Sequence, residues 1–115
     1  MDLDKYQDDA QSTAIYPHKG QAMGLVYTGL KLSGEAAEVG QLIGKAIRDT
    51  DFAETGKLKP EVRQKIAAEL GDVLWYAAEI ASQINYYLSE VAQLNLEKLQ
   101  GRKERGTLQG SGDER

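Results

Sequence analysis

Hydrophobic positions along this chain recur with the period of an α-helix. Between about Gln21 and Asp49 the apolar side chains follow one another at three, four and seven residues, at Leu25, Leu32, Ala36, Val39, Ile43 and Ala46. The stretch that begins at Pro60 repeats the pattern at Ile66, Leu70, Val73, Ala77, Ile80 and Ile84. Proline suits the first position of a helix, because its missing N–H has no helical partner there. The pattern predicts two long helices.

Two shorter helices complete the prediction. The first spans about Leu3 to Tyr16, opens on an aspartate that can cap it, and stops before Pro17. The last covers about Tyr87 to Lys103 and follows the preceding long helix after a short turn near Asn85. No segment reads as a strand. We therefore predict an all-α fold, with a subunit of four to five helices in a bundle that assembles with other copies through helix-helix packing.

Five glycines, at positions 24, 29, 34, 40 and 44, interrupt the predicted second helix. Each costs about 1 kcal/mol relative to alanine in a helix interior. Close contact with the backbone of another helix or subunit would compensate for that cost. The glycines therefore favour tight packing along this helix, and a kink near Gly29 or Gly34 is the alternative.

The length of the chain limits its organisation. A chain of 115 residues is long enough for one domain with its own core and too short for two. Residues 1–105 are expected to form a single helical domain. The glycine-rich residues 106–115 would then form a tail that either frays or folds over a site as a lid. An all-helical chain of this size buries little apolar surface, so a homo-oligomer, dimer or tetramer, is expected.

Composition excludes several classes of function. There is no cysteine, so disulfides, thiolate metal sites and cysteine nucleophiles are absent. The formal net charge of -4 argues against a nucleic-acid polymer as partner, since that mode of binding needs a basic face. No apolar run approaches the roughly 18 residues of a membrane span, and the N-terminus is acidic where a secretory signal would be basic. A cytoplasmic protein without a membrane partner is expected.

Four acids stand out as two pairs spaced three residues apart, Glu35 with Glu38 and Glu69 with Asp72. On a helix this spacing puts both acids of a pair on one side, and both pairs border an apolar stripe. Carboxylates near a core are costly unless a cation neutralises them, and no lysine or arginine is placed to pair with both acids of either helix. Oxygen-only ligands suit Mg²⁺, or Mn²⁺ in its place. A solvated acidic helix face remains the alternative.

Basic and aromatic residues offer further candidate contacts. Lys45 lies seven residues after Glu38 on the same helix side, and Asn95, Lys98 and Arg102 share one side of the last helix. Such cations and amides can bind phosphate, although basic residues also favour helix C-termini without any ligand. Trp75 and Tyr76 could stack on a base, but we expect both to belong to the core.

These residues together resemble the MazG-like branch of the all-α nucleoside triphosphate pyrophosphohydrolases. The likeness rests on three ordered blocks: Gly34-Glu35-x-x-Glu38, then Glu69-Leu70-Gly71-Asp72-Val73-Leu74-Trp75-Tyr76, then Asn95-x-x-Lys98-Leu99-x-x-Arg102 with the closing Gly110-Ser111-Gly112-Asp113-Glu114-Arg115. It covers most of the chain from about Leu30 onward. The first 30 residues carry no such match.

The resemblance implies a Mg²⁺-dependent enzyme that cleaves a nucleoside triphosphate, normal or damaged, into the monophosphate and pyrophosphate. By that likeness the metal ligands and catalytic residues are Glu35, Glu38, Glu69 and Asp72, one of which would also orient the attacking water. The residues that would hold the phosphates or sugar are Lys45, Asn95, Lys98 and Arg102. Two other interpretations stay open: a non-catalytic helical module that binds a nucleotide or a partner protein, and a purely structural oligomerisation domain.

Overall fold

The computed structural model describes all 115 residues and contains helices and no strand. Its five α-helices are α1 (Leu3–Ala10), α2 (Ala22–Asp49), α3 (Phe52–Thr55), α4 (Pro60–Gln83) and α5 (Leu88–Arg105). A single 3-10 turn, Gln11–Thr13, follows α1. The all-α prediction is therefore confirmed. None of the helices combines the length and apolar character that a membrane span requires.

The long helices α2 and α4 form an antiparallel pair that is the main packing contact of the fold. At one end the Gln83 side chain, at the close of α4, donates to Thr28 Oγ1 at 3.1 Å near the start of α2. Farther along the pair, Glu35 of α2 lies opposite Glu69 of α4. The antiparallel arrangement places the two predicted acid pairs on neighbouring helices.

The helix boundaries follow local chemistry. Asp2 caps α1 by accepting from the Lys5 amide at 2.8 Å, and Pro60 opens α4 as the sequence predicts. The turn after α4 contains Asn85 in the left-handed region, with φ of 62°, and Gly106 ends α5 with φ of 72°. The short α3 was not predicted.

The expected end of the first helix at Tyr16 is wrong. The α-helix stops at Ala10, and the chain then passes through the 3-10 turn. The reason is tertiary: this turn brings Gln11 to α4, where its side chain donates to Glu79 Oε2 at 2.8 Å. Proline limits how far a helix can run, but it does not force the helix to run that far.

The small core lies where α1 and α5 meet the end of α4. Ala78, Ala81 and Leu88 form it, and Tyr6 of α1 packs against them. The Gln7 side chain is buried beside this core and accepts from the Leu88 amide at 2.7 Å. The N-terminal helix is thereby attached to both α4 and α5.

A single copy of the chain is open in shape. Its radius of gyration is 17.1 Å, whereas a compact domain of this length has about 13 Å. Only 11 of 115 residues are buried, and many large apolar side chains are exposed, among them Leu30, Ile47, Leu70, Leu94 and Leu96. An added Cβ at Gly29, Gly34, Gly40 or Gly44 would meet nothing within 4 Å. Within one copy, close approach explains only Gly24 among the five glycines.

Candidate functional site

Three carboxylates from the two long helices meet at one place. Glu35 of α2 faces Glu69 and Asp72 of α4, and one oxygen from each lies within 4.8 Å of the others. Glu69 and Asp72 are one helical turn apart, so both point toward the same side of α4. Glu38, the fourth predicted acid, is exposed on the next turn of α2 and adds no oxygen to this group. We call Glu35, Glu69 and Asp72 the carboxylate cluster.

The cluster holds uncompensated negative charge. None of its members forms a salt bridge with a basic side chain. The pKa of Glu69 is raised, first by burial, then by a hydrogen bond with Glu35 and by the charges of Glu38, Glu35 and Asp72. A divalent cation would relieve this repulsion, and a donor set made only of carboxylate oxygens fits a hard cation.

A cavity of about 380 Å³ opens beside the cluster, lined by Thr13, Glu35, Asp72, Trp75 and Tyr76. Trp75 and Tyr76 are only partly buried and form its aromatic side, so the expectation that they belong to the core is wrong. Their spacing indicated this position, because residues three and four after Asp72 lie on the same side of the helix as Asp72.

Tyrosine hydroxyls also lie near the cluster. Burial raises the pKa of Tyr76, and the neighbouring Tyr27 and the charges of Glu35 and Asp72 raise it further. Burial and the charge of Asp72 likewise raise the pKa of Tyr6. These phenols remain protonated near neutral pH and can donate hydrogen bonds.

The predicted phosphate-binding residues do not line this cavity. Asn95 and Lys98 border a separate cavity of about 470 Å³, together with Ile84, Tyr86, Val91 and Leu94. Ile84 caps the C-terminal end of α4 and follows Asp72 by twelve residues, which is roughly 18 Å along the helix axis. Lys45 is exposed on α2, where its charge adds to that of Arg48 in lowering the pKa of Asp49.

Arg102, the fourth predicted phosphate contact, is buried and bonded to the C-terminal tail. Its Nη2 donates to the Asp113 carbonyl oxygen at 2.8 Å and to Asp113 Oδ1 at 3.0 Å. Lys98 Nζ donates to the same Oδ1 at 3.0 Å, and this hydrogen bond is the main reason that the pKa of Asp113 is lowered. Arg115 folds back onto the carbonyl oxygens of Thr107 and Leu108. The tail thus lies against α5.

One further acid, Glu79, was not predicted from the sequence. Its side chain is fully buried in α4, and burial raises its pKa against the partial compensation of Tyr16 and Lys19. The same surroundings raise the pKa of Tyr16 to about 12, through burial first and then the charge of Glu79. Glu79 follows Asp72 by seven residues, a spacing that places it on the same helix side two turns on.

Comparison with known proteins adds to this geometry. The profile of the MazG nucleotide pyrophosphohydrolase domain matches residues 27–107. The chain is also 48% identical, over 118 aligned residues that cover all of both chains, to the Gene 37 protein of Mycobacterium phage L5. No solved structure matches the chain significantly. The profile includes all eight predicted site residues and excludes the N-terminal segment that contributes Thr13 to the cavity.

Proposed function

This chain belongs to the family of MazG nucleotide pyrophosphohydrolases, and on that basis we propose that it hydrolyses a nucleoside triphosphate, normal or damaged, to the monophosphate and pyrophosphate with Mg²⁺. The observation that carries the proposal is the carboxylate cluster, whose oxygens lie within 4.8 Å of one another at the mouth of an aromatic-walled cavity. Metal-binding acids beside aromatic side chains suit the two ends of a nucleotide.

Glu35, Glu69 and Asp72 would hold the cation, with Glu38 on the next turn as the fourth ligand. Divalent-metal dependence is general in the family; Mg²⁺ is our choice because it prefers oxygen ligands and retains waters, and Mn²⁺ would substitute for it. When bound, the ion supplies charge neutralisation on the phosphates and a water of lowered pKa. The support is chemical: after burial and a hydrogen bond with Glu35, the charges of Glu38, Glu35 and Asp72 raise the pKa of Glu69 further, and a bound cation would relieve that repulsion.

The cavity beside the cluster would take the nucleoside. Trp75 and Tyr76 line this cavity next to Glu35 and Asp72, and base-aromatic stacking contributes about 1–3 kcal/mol per base. An aromatic wall would also reduce the access of water to phosphates bound at the cluster, and lower water content strengthens electrostatic interactions.

Three of the proposed phosphate contacts, Asn95, Lys98 and Arg102, would act from a second copy of the chain, whereas Lys45 lies on the same helix as Glu35 and Glu38. The cavity that holds Asn95 and Lys98 lies at the far end of α4 from the carboxylate cluster. A homo-oligomer, dimer or tetramer, would cover the exposed apolar side chains and bring α5 of one copy to the cluster of another. The large radius of gyration of 17.1 Å and the open space at four glycines of α2 support such an assembly. Sedimentation equilibrium tests it: a monomeric mass at micromolar concentration would contradict it.

We extend the proposal to the tail. Residues 106–115, following a helical domain of residues 1–105, would act as a lid, because Asp113 binds two of the proposed phosphate contacts, Lys98 and Arg102. Triphosphate would compete with the Asp113 carboxylate for the same donors.

The test is a panel of nucleoside triphosphates incubated with the full-length protein and Mg²⁺, with products identified by ion-exchange chromatography. The proposal expects monophosphate and pyrophosphate in equal amounts. Release of diphosphate and phosphate would contradict the reaction. Binding seen by calorimetry without turnover of any nucleotide would instead favour a non-catalytic nucleotide-binding module.

A further inference from the structure

The N-terminal segment reaches the cavity beside the carboxylate cluster, although it lies outside residues 27–107. Thr13 is part of the cavity lining. The indole N–H of Trp75 donates to Thr13 Oγ1 at 3.0 Å. The same hydroxyl donates to the Ala10 carbonyl oxygen at 3.1 Å. The Thr13 hydroxyl therefore accepts one hydrogen bond, from the indole of Trp75, and donates another, to Ala10.

Aromatic neighbours fix the Trp75 ring in a second way. Tyr16, also N-terminal to the profile match, meets it edge to face, with ring centroids 6.2 Å apart. Tyr76 meets it from α4 in the same geometry at 5.0 Å. Tyr16 is itself stacked on Tyr27 of α2 at 6.0 Å. Such aromatic pairs have preferred geometries, so the Trp75 plane is held by partners from two parts of the chain.

The segment that carries Thr13 and Tyr16 is anchored independently of any ligand. The Gln11 side chain donates to buried Glu79 at 2.8 Å. The Gln7 side chain donates to Ser82 Oγ and to the Tyr86 carbonyl oxygen, both at 3.0 Å. Partly buried hydrogen bonds of this kind favour one position of the segment, since breaking them leaves polar groups without partners. The segment is therefore a fixed part of the cavity wall.

We propose that Thr13 is a positioning residue that, with Tyr16, sets the plane of Trp75 as one wall of the nucleoside pocket, so that residues 11–16 determine which bases are accepted. This inference rests on the proposed function, since it assumes that the cavity takes a nucleoside. A planar wall in a fixed orientation discriminates between purines and pyrimidines through the area that each can stack. A wall free to rotate discriminates less.

The test uses the full-length protein and three substitutions. Thr13→Val keeps the shape and removes the acceptor, Thr13→Ser keeps the hydroxyl, and Ser12→Ala is a matched control whose hydroxyl bonds only to the Asp9 carbonyl oxygen. Trp75 is the only tryptophan, so intrinsic fluorescence reports on it alone. The loss of one hydrogen bond predicts that Thr13→Val changes the ratio of KM values between purine and pyrimidine triphosphates by about three- to tenfold. The emission of Trp75 is expected to shift, kcat to change less, and Thr13→Ser to restore both properties.

The outcomes separate this inference from the proposed function. If the parent protein binds nucleotides without turnover, the Kd for each nucleotide is measured instead of KM, from the quenching of Trp75 fluorescence. The same three- to tenfold change in the ratio of purine to pyrimidine Kd values then supports the inference. Thr13→Val with parental ratios and parental emission would overturn it. A uniform loss of affinity for all nucleotides would also overturn it, because that result indicates a structural role without selectivity.

Discussion

The carboxyl groups of Glu35 and Glu69 meet across the antiparallel helices α2 and α4, and no basic side chain pairs with either. Burial and a hydrogen bond to Glu35 both raise the pKa of Glu69. Like charges held this close destabilise a fold unless a cation joins them. The relationship therefore links the stability of the protein to divalent metal.

Replacing Glu69 by glutamine tests that link. Without metal, Glu69→Gln is expected to unfold at a higher temperature than the parent, because one repelling charge is gone. Saturating Mg²⁺ should stabilise the parent, by about 2.7 kcal/mol at a hundredfold excess over Kd, and should leave the variant nearly unchanged. Thermal unfolding followed by circular dichroism, in EDTA and in Mg²⁺, measures both effects.

Glu61→Gln is the control for this experiment, since Glu61 lies in the first turn of the same helix and outside the cluster. It should keep the full response to Mg²⁺. An equal Mg²⁺ response in Glu69→Gln and the parent would contradict a metal role for the cluster.

The buried Glu79 predicts a specific dependence of stability on pH. Burial raises its pKa, so the folded state binds its proton more tightly than the unfolded state does. The contribution of Glu79 to the free energy of unfolding is most favourable below the ordinary carboxyl pKa. It declines as the pH rises toward the raised pKa and is constant above it. Glu79→Gln removes this decline. The difference in unfolding free energy between variant and parent should therefore grow with pH above about 4.5 and then level off.

Urea unfolding across a pH series measures this difference. Glu97→Gln is the matched control, because Glu97 is exposed and accepts from a glutamine side chain, as Glu79 does. Glu97→Gln leaves the buried Glu79 in place, so this variant should keep the decline of stability with pH that Glu79 causes. Parallel curves for Glu79→Gln and the parent would show that the buried carboxyl does not titrate as described.

Gly24 and Gly44 are expected to respond in opposite ways to substitution by alanine. A Cβ at Gly24 would collide with the His18 carbonyl oxygen and lie 2.9 Å from Gln83 Oε1, whereas one at Gly44 meets nothing within 4 Å. Overpacking predicts that Gly24→Ala costs about 1–3 kcal/mol. Within one copy of the chain, helix propensity predicts that Gly44→Ala gains up to about 1 kcal/mol. Urea unfolding at fixed protein concentration measures both, and equal losses would contradict the packing at Gly24.

The tail contact predicts a change in proteolysis. Asp113→Asn weakens two charge-assisted hydrogen bonds, from Lys98 and Arg102, so residues 106–115 should detach more often. Trypsin should then cleave after Arg105 several-fold faster, with little change in the unfolding midpoint, because Asp113 is 79% exposed. Mass spectrometry of the fragment ending at Arg105 measures the rate. The Glu114→Gln variant should be cleaved at the parental rate. Equal cleavage rates in the parent and both variants would show that Asp113 does not anchor the tail.

Local patterns predicted the long elements of the fold well. The bounds of α2, α4 and α5 agree with the apolar periodicity, the proline at the start of α4 and the glycine after α5. The end of α1 was not predictable in this way, because it depends on Gln11 reaching Glu79, which lies 68 residues away in the sequence. The open shape of the chain could also not be predicted from local sequence patterns, since it depends on which helix faces pack against other helices.

The candidate site was likewise predicted only in part. Spacing alone placed each acid pair on one helix side, and antiparallel packing then brought three of the four acids together. The spacing of Asn95, Lys98 and Arg102 correctly put them on one helix, but it contained nothing about the distance from that helix to the acids. Thr13 could not be predicted from the sequence pattern, because the importance of this single threonine in a turn depends on its hydrogen bond with Trp75.

The most direct test of the metal-dependent reaction is the rate of pyrophosphate release by Glu69→Gln and by Glu61→Gln, each with the best nucleotide of the panel and saturating Mg²⁺. Loss of a metal ligand is expected to lower kcat by more than about a hundredfold in Glu69→Gln, since even the partners of metal ligands cost 10–100-fold. Glu61→Gln should retain the parental rate. Parental pyrophosphate release by Glu69→Gln would contradict the assignment of the carboxylate cluster as the catalytic metal site.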